Sequence, residues 1–250
     1  MLERPVCTAS GKKPCGIMLG IVGRRGRMNV SGKQKIASYV KAMLDRRPAG
    51  IDKADRPMEA AVLLPLVEKD GKCGVLFEVR SRSLAWQPGE VCFPGGKKEK
   101  GDASLRDTAV RESCEELNLE QHDIFVCGEL DFIVTNFGPV VHPFIGNIKD
   151  FSKIRPSSEE VSEVFVVPLA ELFRQNPRRV HMELANRATN DFPFDLLPRH
   201  PRGWLQRKGY DVFFYVYEGH VIWGLTARIL YTFLRRLRKE MPETFFDELR

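Results

Sequence analysis

Runs of apolar, β-favouring residues at 60–67 and 74–79 predict two strands, and the Asp70-Gly71 pair between them marks a hairpin turn. Further strand-like runs occupy 124–134 and 140–148, with Gly138-Pro139 as the break. A short run at 164–167 ends at Pro168, and a strongly aromatic one fills 211–217. Helical patterning appears at 169–174 and 221–239, and Ser31 can cap a helix running to about Arg46. Within 95–119, GGKKEKGDASLRDTAVRESCEELNL, a helix follows a glycine pair and a short basic loop. Its Ala109, Val110, Cys114 and Leu117 share one side of the helical wheel and predict a core-facing stripe. The stretch 186–209, rich in Pro, Arg and Asn, fits no period and is expected to be a substrate-covering loop. Strands interspersed with a few helices predict an α+β fold, or a mixed sheet carrying helices on both sides.

Composition narrows this picture. At 250 residues and 43% hydrophobic content the chain can bury a sizeable core, and no linker divides it. No run reaches the length of a membrane span, so no membrane partner is expected. The six cysteines lack paired metal-ligand spacing, and four fall in apolar runs, which points to a reducing, cytoplasmic setting. The net charge of +6 is concentrated near the N-terminus and on the last helix, at Arg235, Arg236, Arg238 and Lys239. Solvated helix faces account for most of it, a nucleic-acid partner is not expected, and positive potential can draw in a polyphosphate. The sequence leaves a homodimer open. Residues 1–27 are basic, hold only Glu3 as an acid, and differ in composition from the rest of the chain. They read as a disordered or non-native extension, or less readily an organellar presequence, ahead of a single domain over 28–250.

The chemistry concentrates in the helix at 95–119. Each helical residue advances about 100°, so Glu112 and Glu116 share a stripe with Glu115 beside them. Like charges one turn apart repel by roughly 0.2–0.5 kcal/mol per pair, so three glutamates on an exposed face call for a compensating cation. Carboxylate oxygens suit Mg²⁺ or Mn²⁺, which keep waters and grip phosphates. The Gly95-Gly96 pair, lacking Cβ atoms, lets backbone approach a ligand or metal.

The same segment resembles the Nudix box, G-x5-E-x7-R-E-U-x-E-E-x-G-U, where U is aliphatic. Gly96, Arg111, Glu112, Glu115, Glu116 and Leu119 match. Eight residues separate Asp102 from Arg111, Asp102 stands for the usual Glu, Ser113 for the aliphatic residue and Asn118 for the glycine. Asn tolerates the left-handed conformation that a helix-ending glycine supplies. Upstream, RSRSLAWQPGEVCFPGG resembles the second signature of the coenzyme A diphosphatase-like branch, matching at Arg80, Ser81, Gly89, Phe93, Pro94, Gly95 and Gly96. Glu78 replaces its Thr and Ala85 one of its arginines. Downstream, IWGLTARIL at 222–230 resembles the segment opening that branch's last helix, and the matches span most of 58–240.

The resemblance implies a Nudix α/β/α sandwich, and hydrolysis of a nucleoside diphosphate derivative with Mg²⁺ or Mn²⁺. It places Glu112 and Glu116 on the metal, Glu115 on a second ion, and the Gly95 carbonyl at the site. Arg111 would orient a carboxylate, and Arg80, Arg82 and Gly96 would meet the substrate. Among Glu159, Glu160 and Glu163, Glu160 best matches the branch pattern for a general base, with Glu115 or a metal-bound hydroxide as the alternative. The first-choice substrate is coenzyme A or an acyl-CoA, giving 3′,5′-ADP and 4′-phosphopantetheine. ADP-ribose, dinucleotides or nucleoside triphosphates are the rivals, and a non-catalytic nucleotide- or RNA-binding module is the alternative of another class.

Overall fold

β1 (Glu59–Lys69) and β2 (Lys72–Arg80) form the expected hairpin, turning through Asp70 and Gly71, both at positive φ. This computed structural model describes residues 32–45, 58–135, 138–242, 244 and 245. The expected extension over 1–27 and the Ser31 cap lie outside the described residues, whereas α1 (Gly32–Leu44) occupies the helix expected beyond them. The chain parts into two units, Met1–Asp52, which holds α1, and Lys53–Arg250.

In the second unit β1 is the organising strand. It pairs antiparallel with β2 and with β4 (Gly95–Lys97), and parallel with β7 (Val140–Ile148). β2 also carries β3 (Val91–Cys92) and β8 (Val161–Pro168), while β7 carries β5 (Ile124–Glu129) and β6 (Ile133–Val134). The β1–β7 parallel pairing makes this a mixed sheet.

Alternate residues of a strand face opposite ways, and here both faces are covered. Leu63, Val67 and Leu76 pack with Ala109 and Leu117 of α2 (Leu105–Leu117). Leu64, Val75 and Phe77 pack on the other face with Ala227, Leu230 and Leu234 of α4 (Gly224–Glu240). Burying each such leucine, valine or phenylalanine contributes roughly 1.5–3 kcal/mol. The result is an α/β/α sandwich, an α+β fold with the mixed sheet between helices. α3 (Leu169–Arg174) follows β8 where the sequence places it.

Four expectations change. The 124–134 run is two strands, β5 and β6, with an interruption between them. The 164–167 strand begins earlier, at Val161. The stretch 186–209 is only partly loop, because β9 (Arg178–Asn186) pairs with a long β10 (Leu205–Tyr217). The last helix does not start at Val221: β11 (His220–Trp223) pairs with β10, and Gly224 at φ +64° turns the chain into α4. These three strands form a separate sheet.

Candidate active site

α2 is fixed at both ends by local chemistry. The Ser104 hydroxyl caps its start, accepting from the Asp107 N–H at 3.2 Å. Asn118 ends it at φ 51°, ψ 49°, the left-handed conformation expected where the box pattern has glycine. Ser113, fully buried where that pattern has an aliphatic residue, donates its hydroxyl to the Ala109 carbonyl at 2.7 Å, so no polar atom is stranded. Ala109 and Leu117 face the core, with Val110 and Cys114 beside them, as expected.

Arg111 ties the carboxylates together. Its Nε and Nη2 donate to the two Asp102 oxygens, each at 3.0 Å, and Nη2 also reaches the Lys97 carbonyl at 3.2 Å. The same guanidinium pairs with Glu112 at 2.9 Å and Glu115 at 3.1 Å. Asp102 further accepts from the Thr108 hydroxyl and the Glu99 N–H, both at 2.9 Å. Hydrogen bonding from Arg111 holds the Asp102 carboxyl well below the usual range and raises the guanidinium, so the pair stays ionised. Asp102 is thus the anchor that aims Arg111.

The glycine pair sits under the helix. Glu116 accepts from the Gly95 N–H at 2.8 Å. A Cβ on Gly96 would lie 2.3 Å from the Glu112 carboxyl carbon, and one on Gly95, at φ +151°, would lie 2.3 Å from the Ala61 carbonyl. Only glycines let β4 lie against both β1 and the two carboxylates. This overturns the expectation of an exposed acidic face. Glu116 is 3% exposed, Glu112 is partly buried, and only Glu115 stays in solvent, turned toward Arg111.

The loop that leads to Glu160 docks on the C-terminal end of α2. The Arg155 and Ser157 N–H groups donate to the Leu117 and Glu116 carbonyls, and the Asn118 amide donates to the Arg155 carbonyl at 2.6 Å. The Ser81 N–H in turn binds the Glu160 carbonyl at 2.7 Å. The Glu160 charge acts on Glu112 and Glu116. Glu163 instead pairs with His220 at 3.2 Å. Arg80 is partly buried, donates from Nε to the Trp86 carbonyl at 3.2 Å, and its charge opposes the burial that raises the pKa of nearby Glu78. Arg82 is exposed on the following loop.

Sequence reasoning treated Glu78 and Asp102 only as departures from the family patterns. Glu78 is 1% exposed, accepts from the Cys92 thiol at 3.3 Å, and its Oε2 has no hydrogen-bond partner among the described residues. A carboxylate inside an apolar strand run was the signal that could have found it.

Burial raises the pKa of Glu116, and the negative charges of Glu78, Glu112 and Glu160 raise it further against the Gly95 hydrogen bond. Glu112 also moves up, through burial opposed by Arg111. Among the described residues no three His, Cys, Asp or Glu side chains already stand in ligating positions. The donor chemistry nevertheless fits a hard divalent cation: buried carboxylates resisting their own charge, and an orphaned carboxylate oxygen beside them. The four described cysteines are free thiols, and no described helix is long and apolar enough to cross a membrane.

A helix carrying Glu112, Glu115 and Glu116 is thus clamped on a glycine-paired strand within an α/β/α sandwich. The NUDIX domain matches residues 57–186. Human mitochondrial coenzyme A diphosphatase NUDT8 is 35% identical over 178 residues, 70% of this chain and 67% of that protein. An uncharacterized Nudix hydrolase NudL of Photorhabdus laumondii is 32% identical over 74% of this chain and 88% of its own length. Mouse peroxisomal coenzyme A diphosphatase NUDT7 is 41% identical over 109 residues, a match spanning 44% of this chain and 46% of that relative. The chain belongs to the NUDIX family, and is a Nudix hydrolase.

Proposed function

We propose that the chain cleaves the diphosphate linkage of coenzyme A or an acyl-CoA with Mg²⁺ or Mn²⁺, releasing 3′,5′-ADP and a 4′-phosphopantetheine. The observation that carries this reading is the meeting of Glu116 and Glu112 with the Gly95-Gly96 pair, beside the end of α2 on which the loop before Glu160 docks. The coenzyme A preference rests on the match of 80–96 to that branch's signature and on what the NUDT7 and NUDT8 relatives are named for.

Glu112 and Glu116 would hold the cation with the Gly95 carbonyl, and Glu115 would share a second ion. Bound there, the metal would neutralise phosphoryl oxygens and sharpen a water for attack. Arg111, fixed by Asp102, keeps Glu112 and Glu115 aimed. Glu160 would take the proton from the attacking water. Arg80 supplies positive charge beside the cluster, with Arg82 on the adjoining loop and Gly96 exposing backbone to the phosphates. The free thiols support a reducing compartment such as the cytoplasm.

The purified chain, offered CoA, ADP-ribose, NADH and dNTPs with Mg²⁺ or Mn²⁺, is expected to turn over CoA fastest and to release 3′,5′-ADP. Hydrolysis of ADP-ribose without CoA turnover would replace the substrate and keep the chemistry. Glu160→Gln is expected to lower kcat by about 10²–10⁴-fold with an unchanged fold. If kcat stays near the wild-type value, the base lies elsewhere, at Glu115 or a metal-bound hydroxide.

A further inference from the structure

β2 alternates its side chains between the two faces of the sheet. Val75 and Phe77 join the core beneath α4, while Leu76 joins the core beneath α2. Two residues beyond Leu76, Glu78 therefore faces α2, the helix that carries the box glutamates. Its strand neighbour on one side is Cys92 of β3, three residues before Gly95, whose N–H holds Glu116. On its other side its partner is Val164 of β8, the strand that begins just after Glu160.

Glu78 is placed where a carboxylate is costly. It is 1% exposed, one oxygen has only the weak Cys92 thiol donor, and the other has no partner among the described residues. Leaving a buried polar atom unsatisfied costs about 1–3 kcal/mol, more for a charged one. Arg80 lies near enough to act on its charge but leaves that second oxygen without a hydrogen bond. The Glu78 charge opposes ionisation of Glu116, and the Glu160 charge opposes that of Glu78, as carboxylates gathered without a cation do. The resembling branch signature has a neutral Thr at this position, so the acid is a departure from that pattern.

We propose that Glu78 is an additional ligand of the divalent cation, supplied from the sheet opposite the carboxylates of α2. This rests on the cation site proposed above and adds one donor to it. The orphaned oxygen then has its partner, and a cation buried between strand and helix binds more tightly than the box glutamates alone would hold it.

Mn²⁺ binding to the full chain, followed by electron paramagnetic resonance and by calorimetry without substrate, tests this. Glu78→Gln keeps the shape and removes the charge, and Glu78→Thr restores the signature residue. Both are expected to weaken Mn²⁺ binding by about 10–100-fold, with metal-free melting temperatures equal to or above wild type. Glu78→Asp, which retains the charge, is expected to recover part of the affinity. Mn²⁺ affinity within about twofold of wild type in both neutral variants would overturn the proposal and leave Glu116 and Glu112 as the site. If the Gln variant fails to fold, the Thr variant gives the same reading. Wild-type protein that binds no Mn²⁺ would instead overturn the cation site itself, and this ligand with it.

Discussion

Glu116→Gln is expected to lower kcat/KM by at least about 100-fold while the metal-free protein melts no lower than wild type. Glutamine matches glutamate in size, and its carbonyl oxygen can still accept the Gly95 N–H that Glu116 accepts at 2.8 Å. The packing around a side chain only 3% exposed therefore survives. The negative charge does not. Burial and the charges of Glu78, Glu112 and Glu160 already oppose it in the metal-free fold, so a neutral amide there costs the folded protein no stability. The proposed cation, by contrast, would lose its most buried anionic ligand on α2, and the site its hold on the charge that would make a phosphoanhydride labile. Steady-state kinetics and calorimetry on one preparation separate the two effects. Turnover within about tenfold of wild type would remove Glu116 from the site. A collapsed melting temperature would mean that its role is packing.

The second large effect couples metal to pH. In the metal-free protein the folded state raises the Glu116 pKa above its ordinary 4.5, chiefly through burial. Above that pH the folded state keeps a proton that the unfolded chain has released, so stability falls as pH rises from about 4.5 through neutrality. Glu112 adds to the trend, its pKa raised by burial. Asp102 acts oppositely, since hydrogen bonding from Arg111 lowers its pKa and its contribution disappears only in acid. A divalent cation competes with the proton on Glu116. Saturating Mg²⁺ or Mn²⁺ is therefore expected to raise the melting temperature by roughly 5–10 °C near pH 8, from about 2.7 kcal/mol of binding linkage at a hundredfold excess over Kd. Near pH 5 the gain shrinks, because protonated carboxyls bind metal poorly. A metal effect of equal size at both pH values, or none at either, would contradict the electrostatics drawn for this cluster.

The elements that were legible carry strong local signals. Asp70-Gly71 sets the β1–β2 hairpin, Pro168 precedes α3, and the apolar stripe of α2 is visible on a helical wheel. β9 was not legible, because its residues, from Arg178 to Asn186, are all exposed or half-exposed, and it is a strand only because β10 pairs with it. β11 was read as helix because an apolar Val221–Trp223 stretch has no period of its own; its pairing with β10 decides the matter.

At the site the division is similar. The order of residues along one helix was enough to single out Glu112, Glu115, Glu116 and Arg111 as candidates, because spacing at 3.6 residues per turn is a local property. Contacts made across the chain were beyond it: the burial of Glu116 against Gly95, the hold of Asp102 on Arg111, the docking of the Glu160 loop on the end of α2, and Glu78 facing that helix from β2. Periodicity reports which side chains share a face. Only the packing of strand, loop and helix decides which faces meet and which charges lose their water.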